Sequence, residues 1–325
     1  MELRTTYLGL SLDNPIIVGS CGLTQDADKI RKCEQAGAGA VVMKSLFEEQ
    51  IRSMDPGLLD DTLLHPEVIG YIQAELGMLY GPREYLETIE AAKKSVSIPV
   101  IASINCHTSK WWLDYARQIE AAGADALELN AYVFPLDPAR TGADLEKVYV
   151  EILDSVKREL RIPVAMKLPP YVTSFGNLAA ELAGRRADGL VLFNRFVNPE
   201  IDIHTLKVSV KASFSDIQGF YTSLRWIALL SGELDLDIVP SGNIHTSEDV
   251  IKQILAGAPA VQVVSVLYSK GLREIEAIKT GLAEWMREKK LGSIDEFRGR
   301  LNQTNNPQSM AYIRAQYIKQ FAGIE

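Results

Sequence analysis

The sequence predicts an α/β protein: a (β/α)₈ TIM barrel spanning residues 1–325 as one domain. Three observations lead there. An amphipathic helix, a glycine–alanine break and a short apolar strand recur along the chain. Eight such strands can be counted. The first strand is not followed by a G-x-G-x-x-G turn, as VGSCGLT from Val18 shows, and an open, doubly wound sheet would want that turn.

The repeat is plainest where EQAGAGA from Glu34 runs into VVMKS, EAAGADA from Glu120 into LELN, ELAGRRADG from Glu181 into LVLFN, and LAGAPA from Leu255 into VQVVS. Each break has a glycine near where a helix C-terminus favours a left-handed residue. Each strand is a short apolar run, the mark of a parallel strand covered on both faces. In chain order, MELRTTYLGLSLD forms a hairpin-like segment ahead of strand one, NPIIVGS from Asn14. VVMKS is strand two, SIPVIASIN from Ser97 strand three, and LELN strand four. A helical segment from Asp144 to Leu160 leads to strand five, RIPVAMKLPP from Arg161. LVLFN is strand six and DIVPSGN from Asp237 strand seven; a helix from Ser247 to Leu255 then leads to VQVVS, strand eight. Eight alternating units predict closure into a barrel. Residues 46–82 are the longest stretch between strands and read as a covering insertion. Residues 290–325 lie past the last barrel helix as a C-terminal helical extension, with MAYIRAQYIKQF as an added helix.

Bulk properties bound the function. With 325 residues, 47% of them hydrophobic, the chain has an ordinary globular composition. A net charge of -8 argues against nucleic-acid binding, which needs a basic face. Three cysteines, Cys21, Cys33 and Cys106, make neither a disulfide framework nor an iron–sulfur set, and a reducing cytoplasm is expected. The N-terminus lacks the apolar run of a signal peptide, and no run is long enough to span a bilayer.

Chemistry in such barrels gathers at the C-terminal ends of the strands. Those ends read Gly19-Ser20-Cys21, Lys44-Ser45, Asn105, Asn130, Lys167, Asn194-Arg195, Ser241-Gly242-Asn243 and Val264-Ser265. Lysine ends are often only solvated charges, and asparagine ends often only close turns. A whole set at equivalent positions asks for more. Gly242 lets backbone approach a ligand closely, and helices follow both Asn243 and Ser265; loops after strands seven and eight commonly hold a phosphate in this way. Lys167, in MKLPPY, would either stabilise a developing anion or act as a Schiff-base amine. The second role would make the protein a lyase.

Taken together, NPIIVGS, VVMKS, IPVAMKLPPY, SGNI and the late block SIDEFRGRLN make the chain resemble the soluble dihydroorotate dehydrogenases, flavin mononucleotide (FMN) barrel enzymes of pyrimidine biosynthesis. The resemblance covers nearly the whole chain. It implies FMN as cofactor and Lys167 beside flavin N1 and O2, where a fixed positive charge favours the anionic reduced flavin. It places Lys44 between flavin and substrate with Ser45 beside it, and sets Gly19 and Ser20 against the ring. Gly219, Gly242, Asn243, Val264 and Ser265 would hold the phosphate and its approach, with Asn105 and Ser241 completing the cofactor set. Lys44, Asn130, Asn194 and Arg195 would meet a small, flat, amide-bearing substrate, since carboxamides both donate and accept. A homodimer is implied; the electron acceptor is left open.

The stretch after strand four departs from that family. Its pattern reads N-x-S-C-P-N, with cysteine or serine as the base; here Asn130-Ala131-Tyr132-Val133-Phe134-Pro135 puts Val133 at the base position. Valine takes no proton. Tyr132 is the adjacent candidate, although an ordinary phenol has a pKa of about 10. Cys106 and His107 after strand three, Cys21 after strand one and His65 in the insertion are further candidates. Arg195 beside Asn194 also departs from the family, which has a small polar residue there. Three readings stand: an FMN-dependent oxidoreductase acting on a dihydropyrimidine-like substrate, an FMN-binding protein without dihydroorotate turnover, and a Schiff-base lyase using Lys167.

Overall fold

The computed structural model describes residues 1–52, 81–107, 113–194, 198–211, 217–307 and 310–313. Eight parallel strands form the centre: Ile16–Val18, Ala40–Val42, Val100–Cys106, Ala126–Ala131, Val164–Leu168, Gly189–Leu192, Asp237–Pro240 and Val261–Val263. They are strands one to eight below. Hydrogen bonding runs seven, six, five, four, three, two, one, eight. A parallel bridge between Ser241 and Gln262 joins the two ends of that path and closes the barrel. Helices Ala27–Gln35, Pro82–Ser95, Leu113–Ala121, Gly142–Glu159, Phe175–Gly184, Ile217–Leu230, Ser247–Ala256 and Glu274–Glu288 follow the strands in turn. The predicted (β/α)₈ barrel is the observed one.

Side chains alternate across each strand, and the core divides accordingly. Ile17, Ala40, Val42, Ile101, Ala126, Ala165, Val191, Val239 and Ala260 point inward. Their sequence neighbours, such as Val18, Val41, Leu127 and Met166, pack outward against the helices in a second, larger cluster. Four of the nine inward residues are alanine, which leaves room for the N-terminal segment. That segment is the expected hairpin: Thr5–Tyr7 pairs antiparallel with Leu10–Leu12 through Leu8 (φ 54°) and Gly9 (φ 73°). Two left-handed residues in a two-residue loop make the turn whose twist matches paired strands. The hairpin drives Tyr7, Leu8 and Leu12 into the bottom of the barrel. Strand six begins with Gly189 because a Cβ there would lie 2.7 Å from Leu8 Cδ2.

The repeated helix–break–strand sequence has a structural counterpart. Asp125, just before strand four, accepts the Val100 N–H at the start of strand three (2.7 Å) and pairs with Lys93 of the preceding helix (2.6 Å). Asp188, just before strand six, does the same for Val164 (2.7 Å) and Lys157 (2.6 Å). Glu34 and Glu120, at the ends of their helices, accept backbone N–H groups of Ser97 and Ile98, and of Arg161 and Ile162. One carboxylate thus satisfies strand-start donors that have no partner in the sheet.

Within the insertion read over residues 46–82, Leu46–Phe47 is a short strand pairing with the upper end of strand three, and helix Glu48–Arg52 follows; residues 53–80, with His65, lie outside the described residues. The sequence reading had no hairpin after strand six, yet Asn198–Asp202 pairs antiparallel with Lys207–Lys211 there. The C-terminal extension runs back along the helices: Gly299 and Leu301 donate to Ile254 and Leu255, and Gln303 donates to Ala228. Its expected helix is described over Met310–Ile313. No helix among the described residues is long and apolar enough to cross a membrane.

Candidate active site

One row of the sheet organises the mouth of the barrel. Asn105 is in register with Asn130, and Asn130 with Lys167. All three continue the inward alternation set by Ile101, Ala126 and Ala165. Strands of this register bring a cation and two carboxamides side by side although no two of these residues are close in sequence.

Lys167 is 7% exposed. Its Nζ donates to Gln262 Oε1 (3.3 Å) and lies 3.5 Å from Glu128 Oε1. Gln262 Nε2 donates to Glu128 Oε2. Glu128 and Gln262 are themselves buried. The three side chains form a closed ring drawn from strands four, five and eight. Sequence reading found Lys167 and missed the other two. The available signal was a polar residue at an inward position of an otherwise apolar strand, Glu128 in LELN and Gln262 in VQVVS.

Two buried acceptors at this place, Asn130 Oδ1 and Glu128 Oε1, have no hydrogen-bond partner among the described residues. A buried acceptor left unpaired costs about 1–3 kcal/mol, and such groups recur where a ligand supplies the donor. Beside them runs a chain of hydroxyls. Ser20 Oγ lies 3.0 Å from Ser45 Oγ, and Ser45 Oγ lies 2.8 Å from Ser103 Oγ. Ser20 also accepts the Ser45 N–H (2.8 Å). Ser103, the inward residue below Asn105, is another residue the sequence reading missed. Gly19 donates to Val263 O (3.1 Å), and a Cβ on it would lie 2.9 Å from Val264 Cγ2. Glycine is therefore required where strand one meets strand eight. Lys44 continues strand two and is half-buried, its N–H donating to Thr24 O (3.3 Å).

The loops after strands seven and eight meet. Ser241 donates its N–H to Leu192 O (2.7 Å). Gly242 (φ 91°) and Asn243 (φ 59°) are both left-handed, and none of the described residues lies within 4 Å of the place a Gly242 Cβ would occupy. The helix that follows is capped by Thr246 and Asp249 in a reciprocal box. His245 Nε2 lies 2.8 Å from Ser265 Oγ, tying the two loops together. Val264 precedes the short helix Ser265–Lys270. Gly219 sits in the first turn of helix Ile217–Leu230, and Asn194 donates its N–H to Leu168 O (2.8 Å) at the end of strand six. Arg195 lies outside the described residues.

The candidate bases separate. Val133 packs against the outer core, and its N–H donates to Tyr149 Oη (3.3 Å). Burial holds the Tyr132 phenol above its ordinary value, which suits a hydrogen-bond donor rather than a resting base. Cys106 does not reach the mouth: it alternates with Asn105, points outward and is wholly buried. Burial also raises the Cys21 thiol. His107 is turned to Glu48, which accepts its N–H (2.9 Å) and lies 3.4 Å from Nδ1. An open cleft of about 900 Å³ lies at the opposite face of the barrel, lined by Leu8, Arg186, Asp237 and Arg298, and none of the groups above borders it.

The match to known proteins is broad. A family model described as dihydroorotate dehydrogenase matches residues 2–286. The chain is 29% identical over 311 residues to the dihydroorotate dehydrogenase B (NAD(+)) catalytic subunit of Pyrococcus furiosus, covering 92% of this chain and 98% of that one. It is 27% identical over 308 residues to the protein of the same name from Methanocaldococcus jannaschii, covering 91% and 97%. It is 28% identical over 306 residues to a putative dihydroorotate dehydrogenase A (fumarate) of Aeropyrum pernix, covering 92% and 97%.

Proposed function

The chain belongs to the dihydroorotate dehydrogenase family, and from that premise we propose how its own residues serve the reaction. It is an FMN-dependent oxidoreductase. The residues at the mouth fit that cofactor. Lys167, a buried cation, is in register with Asn130, whose Oδ1 has no partner among the described residues, and no described residue lies within 4 Å of where a Gly242 Cβ would sit. When bound, FMN supplies the two-electron acceptor. Lys167 holds a positive charge where negative charge arrives. Asn130 and Asn105 would offer carboxamides to the cofactor. Ser20 and Ser45, in their hydroxyl chain with Ser103, and Gly19 would pack against the ring. Backbone N–H groups of the Gly242–Asn243 and Val264–Ser265 loops, with Ser241 beside them and Gly219 at their approach, take the phosphate. Lys44, Asn194, Arg195 and Asn130 orient a small dihydropyrimidine-like substrate, and Tyr132 donates a hydrogen bond to it.

The single observation that carries this reading is Lys167, a buried lysine at the end of strand five, in register with Asn130, whose Oδ1 has no partner among the described residues. The test is to purify the protein, release any cofactor by heat and compare it with FMN, FAD and riboflavin by chromatography. One FMN per chain is expected. A colourless protein that also fails to take up added FMN defeats the reading.

Val133 favours a second reading within the same family: FMN binding with little or no dihydroorotate turnover. A valine packed on the outer core removes the group expected to accept the proton. Anaerobic mixing with dihydroorotate separates the two, because only the first bleaches the flavin. We further propose that the whole chain is one domain, that it works in the cytoplasm as its free cysteines suit, and that its electrons leave to a separate molecule. Two copies are proposed to meet through the hairpin after strand six, where Ile201, Ile203, Leu206 and Val208 are exposed. An apolar cluster of that kind on a surface favours a protein partner.

A further inference from the structure

The ring of Lys167, Glu128 and Gln262 contains more than is needed to hold a cation. An ammonium has three donors; one goes to Gln262 Oε1. Glu128 Oε1 stands 3.5 Å away, within ion-pair range, yet it makes no hydrogen bond among the described residues. The other carboxylate oxygen is held by Gln262 Nε2. Gln262 therefore grips both partners at once and keeps the carboxylate from closing on the ammonium. Strands four, five and eight hold the three side chains in place, and all are buried, so water does little to screen them.

A cation whose counter-ion is close but restrained projects only part of its charge. We propose that Glu128 is a positioning residue. Held back by Gln262, it fixes the Lys167 ammonium and sets how much of its charge reaches the FMN edge. This rests on the FMN reading above. It makes the preference for reduced over oxidised FMN a property of three residues rather than of Lys167 alone. With Glu128 neutral, Lys167 acts at full strength and reduced FMN is favoured. With Gln262 gone, Glu128 closes on Lys167 and reduced FMN is disfavoured.

The experiment measures dissociation constants for oxidised and reduced FMN, and the two-electron midpoint potential, in wild type and variants. Glu128→Gln keeps the acceptor for Gln262 and removes the charge. Its ratio of oxidised to reduced dissociation constants is expected to rise about tenfold, about 30 mV upward for a two-electron couple. Gln262→Met, of similar volume, is expected to move the ratio the opposite way and serves equally if Glu128→Gln does not fold. In a Lys167→Met background Glu128 has no ammonium left to position. There Glu128→Gln is expected to change the ratio by less than about threefold, a non-additivity that a merely structural role does not produce. An unchanged ratio in the folded single variants overturns the proposal, and so does an equal shift in both backgrounds. If wild type itself binds no FMN, the functional reading fails and this inference falls with it; if wild type binds and the variants match it, only this inference fails.

Discussion

Removing a lysine ammonium from water costs several kcal/mol unless an opposite charge accompanies it, and Lys167 has Glu128 as that companion. Removing one partner of such a pair typically costs about 3–5 kcal/mol. Lys167→Ala is therefore expected to destabilise the protein by roughly that amount and to bind FMN weakly, measured by urea unfolding and fluorescence titration. Lys167→Met with Glu128→Gln is expected to recover most of the stability and none of the FMN affinity. Recovery of both would show that the cation does not meet the cofactor. Val133 asks a different question. General-base help is commonly worth about 10²–10⁴-fold, and valine provides none. Val133→Cys is expected to speed flavin reduction by dihydroorotate only about tenfold, well short of that range, because position 133 packs on the outer core. Stopped-flow reduction measures it; fast wild-type reduction would send the search for a base to Tyr132 and His107.

The barrel units are held by carboxylates that join a strand start to a neighbouring helix. Asp125 receives a backbone N–H and a lysine together. Hydrogen bonds to charged groups contribute about 1.5–3 kcal/mol, so Asp125→Ala is expected to lower unfolding stability by about 2 kcal/mol and leave FMN affinity unchanged. Asp237 is the counterpart at the hairpin, accepting the Leu8 N–H at 2.7 Å. Burial pushes its carboxyl above the ordinary value, outweighing the opposing effects of Leu8 and Arg298. The native state then holds its proton to higher pH than the unfolded chain. Its contribution is complete below the ordinary carboxylate pKa of about 4 and is lost as pH rises through the raised value. Asp237→Asn keeps the acceptor and cannot ionise. Its melting temperature relative to wild type is expected to climb across that window, and parallel curves would show that Asp237 is not the titrating group.

At the scale of the molecule, the interior is apolar below and polar above. The hairpin fills the lower end with Tyr7, Leu8 and Leu12, and the polar end is the one carrying Lys167 and Asn130. The exposed apolar hairpin after strand six gives the proposed dimer a testable surface. Sedimentation of wild type at micromolar concentration is expected to show a dimer, and Ile201→Asp with Val208→Asp a monomer. A wild-type monomer removes the interface.

The eight-unit order, the strand-end positions of Lys167, Asn130 and Gly242, and the N-terminal hairpin were all readable in the sequence. Each depends on local regularities: glycine at helix ends, short apolar runs, and turn residues in a fixed order. The hairpin after strand six escaped because its alternating strands expose apolar side chains instead of burying them, Ile201 and Val208 among them. Glu128 and Gln262 escaped because they lie 134 positions apart, and barrel closure alone brings strand eight against the interior of strand four. The same closure joined Ser20, Ser45 and Ser103 and tied His245 to Ser265. It was also the direction of a side chain that set Cys106 apart from Asn105: adjacent residues on a strand face opposite ways, and only a closed barrel makes one way the site and the other the core.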